Sequence, residues 1–259
     1  MRVQWYEIHP SAVLDLAKKN KQAPTLPYQP RPDGITITQS PDALAAAGRI
    51  AQVPFIVGDN KDEGTLFVLG ANLNTTTDVV DYMQNMYFNN ATRDQVTRLV
   101  SLYPNDPDAG SPFRTGELNN VYPEYKRVAA IVGDASFTLS RRLFLNNIAA
   151  AHPNVKSWSY LETYFHYLPI LGTTHALDIL PAFGYLPGFA SWSMMNYYIS
   201  FVTNLDPNTK KSPVLPDWPQ WSASKQLLDF EIASNELITD DFRSSAYDYL
   251  AANVVSFRV

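Results

Sequence analysis

An acidic pair, Asp62 and Glu63, stands directly behind the apolar run VPFIVG in the stretch VPFIVGDNKDEGT. A carboxylate beside a buried strand is costly to desolvate unless it has a partner. Either both acids point to water, then, or one of them has a task. The chain holds four histidines, His9, His152, His166 and His175. His175 lies in LPILGTTHALDIL, after an apolar segment and a glycine turn, the setting of a loop beyond a strand or helix end. An imidazole has the near-neutral pKa that lets it take up and return a proton. Taken singly, each residue also fits an ordinary role: Glu63 as a solvated turn or helix-start carboxylate favoured by the helix dipole, His175 as a hydrogen-bonded structural histidine.

Acid first and histidine later is the order of the last two members of an α/β-hydrolase triad, which a serine precedes. That serine needs a G-x-S-x-G elbow, because the glycines let a strained strand-to-helix turn expose the hydroxyl. No such pentapeptide occurs in the sequence. The S-x-x-K match Ser222-Ala-Ser-Lys225 sits in a polar loop without S-D-N or K-T-G companions. Neither H-E-x-x-H nor a calcium loop nor a phosphate-binding glycine loop is present, so no metal or cofactor is expected. A glycosidase built on Asp62 and Glu63 fits poorly, since adjacent carboxylates point different ways and sugar cleavage needs two carboxyls facing each other across about 5–9 Å.

The elements that would carry these residues follow from pattern and punctuation. VPFIV, 53–57, is a short continuous apolar run bounded by Gly58 and predicts a buried parallel strand. Asp78 or a neighbouring threonine caps a predicted helix through Val79–Tyr87, and another spans Thr92–Leu102. The longest helix is predicted over 125–151, where Val128, Ile131, Val132, Ala135, Leu139 and Leu143 recur at helical spacing. Strands are predicted at 155–165 and 226–232, a helix at 189–204, and a last helix from Thr239 or Asp240 through Leu250. Nearer the start, Ser11–Lys19 is a short helical candidate, followed by a proline-studded loop at 25–34. Strands interspersed with helices point to an α/β architecture, whose ligand sites lie beyond the carboxyl ends of the strands. Glu63 falls a few residues past such an end.

Composition bounds the rest. With 46 % hydrophobic and 17 % charged residues among 259, the chain can bury a real core. Twenty basic against 25 acidic residues, without a dense Lys/Arg cluster, argue against nucleic acid as the main partner. The absence of cysteine excludes disulfides, cysteine–zinc sites and thiol nucleophiles. No stretch of 18 or more apolar residues offers a transmembrane segment, and MRVQWYEIHPSAVLDL has no signal-peptide core. Two sequons, at Asn74 and Asn90, hint at a secretory origin.

PFIVGDNKDEGTLF resembles the acid-bearing segment of the type-B carboxylesterases, the family of cholinesterases and fungal lipases, and LGTTHALDI resembles its histidine segment. LPYQPRPDG, YPNDPDAGSPFRTGELN, IVGDASFTLSRRLFLN, FVTNLDPNT, PDWPQW and DDFRSSAYDYL extend the similarity. They look most like the secreted fungal lipase and sterol-esterase branch. The likeness runs from about residue 25 to 259, with residues 1–24 matching poorly. It implies the C-terminal portion of an α/β-hydrolase fold, an incomplete sheet with flanking helices. By the same resemblance Glu63 is the triad acid, His175 the general base, Leu66 and Phe67 line the acyl pocket, and Asn74 is a glycosylation site. The family carries its serine elbow and oxyanion hole in an N-terminal half, so the implied partner is that half, the implied substrate a lipid or sterol ester, and the implied location extracellular. Without nucleophile and oxyanion donors the chain alone is expected to be inactive. A non-catalytic binding or adhesion module on the same fold is the alternative.

Overall fold

The computed structural model describes residues 32–258. The helical candidate at Ser11–Lys19 and most of the proline-studded loop lie outside them. Within the described residues, β1 (Phe55–Asn60), β2 (Ser157–Glu162), β3 (Gln226–Phe230) and β4 (Asn235–Thr239) form a four-stranded sheet in that order. The first three strands are parallel and β4 returns antiparallel. The register sets Asn60 beside Glu162, and Glu162 beside Phe230. Three polypeptide segments therefore leave the sheet at one level, and side chains that follow β1 and β2 can meet there.

The strand predicted at 53–57 starts two residues later and runs through Gly58 to Asn60. Gly58 fits because a side chain there would overlap the ring of Tyr160 on β2. Phe55, Ile56 and Val57 are only half-buried, because among the described residues no strand pairs with the outer edge of β1. The fully buried strand is β2, predicted as an alternating one: all six of its residues are buried. Trp158 and Tyr160 pack with Leu228 and Phe230 against one layer, which includes Met194 and Tyr197 of a long helix, Phe189–Asn204. Leu161 and Leu227 pack on the other face with Leu145 and Trp221. Burial on both faces here includes polar side chains, Ser157, Ser159 and Glu162, and the Ser159 hydroxyl is satisfied by accepting from Arg141 Nη1 at 3.0 Å.

The helix predicted over 125–151 is continuous but changes winding. Tyr125–Gly133 and Leu139–Ala151 are α-helical, and Asp134–Thr138 between them is one π-turn. Two capping boxes set the preceding helices, Thr75 with Asp78 before Thr76–Met86, and Thr92 with Gln95 before Arg93–Ser101. In each, the side chains satisfy orphan N–H groups reciprocally. The last helix begins at Ser244 rather than at Thr239 or Asp240, because Thr239 ends β4 and Asp240 is buried in an ion cluster. Its carboxylate accepts from Arg141, Arg142 and Trp221 Nε1. Arg141 also donates to Asp59 of β1 at 2.6 Å, tying the sheet to the long helix behind it.

Candidate active site

Glu63 lies three residues past the end of β1. Its Oε1 accepts from the N–H of Asn60 at 2.8 Å, so the turn folds the carboxylate back over the strand end. Gly64 follows, and a Cβ at that position would overlap the carbonyl oxygen of Ala129. The absence of a side chain lets the turn press directly on the helix through Tyr125–Gly133. Thr65–Val68 then forms a short helical turn. Beyond β2, the segment 163–174 loops back to this turn. The hydroxyl of Thr65 donates there to Leu171 O or Thr174 Oγ1, each at 2.8 Å, and Tyr125 OH donates to Ile170 O at 3.1 Å.

These contacts bring Glu63 and His175 together across 112 residues: His175 Nδ1 lies 2.7 Å from Glu63 Oε2. The carboxylate is buried, with 5 % of its side chain exposed, whereas 40 % of the imidazole side chain faces outward. The bond to Glu63 is the main reason that the His175 pKa lies above its ordinary value, against an opposing pull from desolvation. Burial pushes the Glu63 carboxyl up, and its hydrogen bonds from His175 and the Asn60 N–H counter this. With a carboxylate acceptor at Nδ1, that nitrogen carries the proton and Nε2 is the basic atom. Such a pair can accept a proton at Nε2 and stabilise the imidazolium that results.

Around the pair, Asn60 Nδ2 donates to Asp178 Oδ1 at 3.1 Å, and Tyr160 OH donates to Asp178 Oδ2 at 2.7 Å. Glu162 is buried at the end of β2, and burial pushes its carboxyl up to about 8. Asp62 does not face Glu63: it points the other way, into the loops at 111–113 and 171–174. The two adjacent acids thus diverge, as the sequence suggested. Phe67 packs against the His175 ring at 5.1 Å between centroids, while Leu66 is exposed. Asn74 is exposed ahead of its helix. Phe137, at 4.8 Å from the His175 ring, was not singled out by sequence; it belongs to the π-turn, whose extra residue leaves no trace in the hydrophobic spacing. Among the described residues no cluster of three His, Cys, Asp or Glu side chains could hold a metal ion, and no helix is long and apolar enough to cross a membrane.

An acid behind one parallel strand, bonded to a histidine behind the next, on a mixed sheet with flanking helices, defines part of an α/β-hydrolase. The chain belongs to the carboxylesterase family, whose model matches residues 2–250. It is 48 % identical over 236 residues to secreted lipase 1 of Botryotinia fuckeliana, covering 90 % of this chain and 41 % of that protein. To the secreted triacylglycerol lipase LIP1 of Gibberella zeae it is 50 % identical over 231 residues, covering 88 % and 39 %. The crystal structure of Aspergillus niger EstA shares the fold with a TM-score of 0.75 at 23 % identity, covering 90 % of this chain and 46 % of that one. The chain therefore spans about 40 % of the length of these lipases and corresponds to the C-terminal part of a lipase-type esterase.

Proposed function

We propose that this chain supplies the acid and the base of a Ser–Glu–His triad in a serine hydrolase of lipid or sterol esters, the serine and the oxyanion hole coming from an N-terminal part of the same fold. The observation that carries the reading is the 2.7 Å bond between His175 Nδ1 and buried Glu63. In the assembled enzyme, His175 Nε2 takes the serine proton as the hydroxyl oxygen attacks the ester carbonyl. The imidazolium then returns that proton to the leaving alkoxide, and a second cycle with water releases the acid. Glu63 holds the tautomer and offsets the transient charge without itself becoming protonated. Phe67, against the imidazole, and Leu66 beside it in sequence line the acyl side of the site. Exposed Asn74 is a glycan acceptor in a secreted protein, as the names of the two lipase relatives suggest.

Among the described residues no strand pairs with the outer edge of β1, which supports a strand from the N-terminal part docking there. Its half-buried Phe55, Ile56 and Val57 lie along an apolar edge of the kind that invites aggregation when left uncovered. A non-catalytic binding module would need neither a buried glutamate nor a histidine bonded to it.

The reading is tested by co-expressing the chain with the N-terminal part of a fungal lipase relative and treating the complex with a fluorophosphonate probe. Labelling of the elbow serine is expected, and it should be lost in His175→Ala. Labelling that ignores the histidine substitution would sink the proposal.

A further inference from the structure

Asp62 is a buried acid that the proton transfer does not use. Its side chain is as inaccessible as any in the molecule, at 0 % exposure, and every polar contact it makes leads to another loop. Oδ1 accepts from Ser111 Oγ at 2.9 Å and from the Phe113 N–H at 3.0 Å. Oδ2 accepts from the Thr173 N–H at 3.0 Å, two residues before His175. The backbone of Asp62 closes the ring, its N–H donating to Thr173 O at 2.9 Å. Gly172 sits in the left-handed region, with φ of 56°, and a Cβ there would collide with the Asp62 carboxylate.

We propose that Asp62 is the positioning residue of the acid–base pair: its carboxylate clamps the histidine loop to the turn that carries Glu63, and so fixes the distance between Glu63 and His175. The inference rests on the reading of those two as triad members and adds a role for their neighbour. Its physical basis is that three converging donors hold a buried carboxylate in one place, and charge-assisted hydrogen bonds are roughly twice as strong as neutral ones. Because Asp62 and Glu63 are adjacent on one tight turn, fixing the first fixes the backbone of the second. Because Thr173 and His175 are two residues apart, the same carboxylate sets where the imidazole emerges. Asparagine is nearly isosteric, but its NH2 would face a donor where the carboxylate accepts, so one of the clamp bonds must open.

The test uses selective 15N-histidine labelling of the 259-residue chain, co-expressed with the N-terminal part of a relative where solubility requires it. His175 and His152 are read separately, the latter reporting on folding through its bond to Gly48 O at 2.6 Å. In Asp62→Asn the low-field Nδ1–H resonance of His175 should be lost and its pKa should fall toward the ordinary histidine value, with His152 unchanged. Glu63→Gln serves as the reference for a broken pair. If Glu63→Gln moves His175 and Asp62→Asn does not, Asp62 has no positioning role and the proposal is overturned. If Glu63→Gln itself leaves His175 unmoved, the acid–base reading fails as well. Should Asp62→Asn prevent folding, Ser111→Ala removes one clamp donor more gently. A weakened His175 resonance then supports the clamp, and an unchanged one overturns it.

Discussion

His175 Nδ1 and Glu63 Oε2 are 2.7 Å apart although the two residues are separated by 112 positions in the sequence, and the bond spans two loops that leave adjacent parallel strands at the same level. It makes the histidine more basic and hides its carboxylate partner from water. In the assembled enzyme, kcat/KM should therefore fall on the acid side with an apparent pKa above the ordinary histidine value. Glu63→Gln should move that limb to lower pH and reduce kcat by on the order of 10³–10⁴. The sign for stability is opposite to that for activity. A histidine whose pKa is raised on folding contributes stability fully below its unfolded value, and this is lost as pH rises through the folded value. A pH–rate profile of the two variants checks the first, and urea melts at pH 5 and pH 9 check the second.

The backbone contact at Gly64 leaves no room for a methyl group, since the obstacle is the carbonyl of Ala129 and the N–H of Gly133, not a flexible side chain. Gly64→Ala should destabilise the chain by about 1–3 kcal/mol, as overpacking does in other cores. The urea midpoint reads that cost. An alanine tolerated there within about 0.5 kcal/mol, the usual range for a surface change, would contradict the close packing of the glutamate turn against its helix.

How much of this was legible in the sequence depends on the range of the interaction that decides each feature. The capping boxes of Thr75 and Thr92 are local, and the two helices that they begin were readable, the second to within a residue at each end and the first with its start placed at Val79, three residues past the observed Thr76. Strand β4 was not: Asn235–Thr239 has a mostly solvent-facing pattern, and the hairpin turn before it contains exposed Ile232 instead of the glycine or asparagine that usually marks one. Missing β4 moved the start of the last helix forward to Thr239 and Asp240, residues that the structure assigns to a strand end and an ion cluster. At the site, Glu63 and His175 could be named from type and context. Their union, the opposite aim of Asp62 and the approach of Phe137 all depend on how loops far apart in sequence pack together.

Glu162 offers a separate check on burial. Its carboxyl is pushed up to about 8 by desolvation, with Asp178 and Asp229 adding to the effect. Between the unfolded glutamate value of about 4.3 and the folded one, the native state holds a proton that the unfolded state has lost, so stability declines as pH rises. Glu162→Gln should remove that decline and stabilise the chain at pH 8 by roughly 1–3 kcal/mol relative to wild type. Parallel pH dependences of the two melts would show that the carboxyl is solvated.

Asn74 is exposed next to a capped helix, and the sequon threonine, Thr76, lies in the first turn of that helix. Expressed through a secretory pathway, the protein should carry an endoglycosidase-sensitive glycan that Asn74→Gln removes. Intact-mass measurement before and after deglycosylation reads this directly, and an unmodified Asn74 in the secreted product would remove the assignment.

The most direct measurement is hydrolysis of a short-chain triacylglycerol by the chain co-assembled with the N-terminal part of a fungal lipase relative, compared with the same complex carrying His175→Ala. Turnover in the first and its loss in the second is the predicted result. Turnover of equal rate in both would show that His175 is not the base, and the pairing with Glu63 would then be structural only.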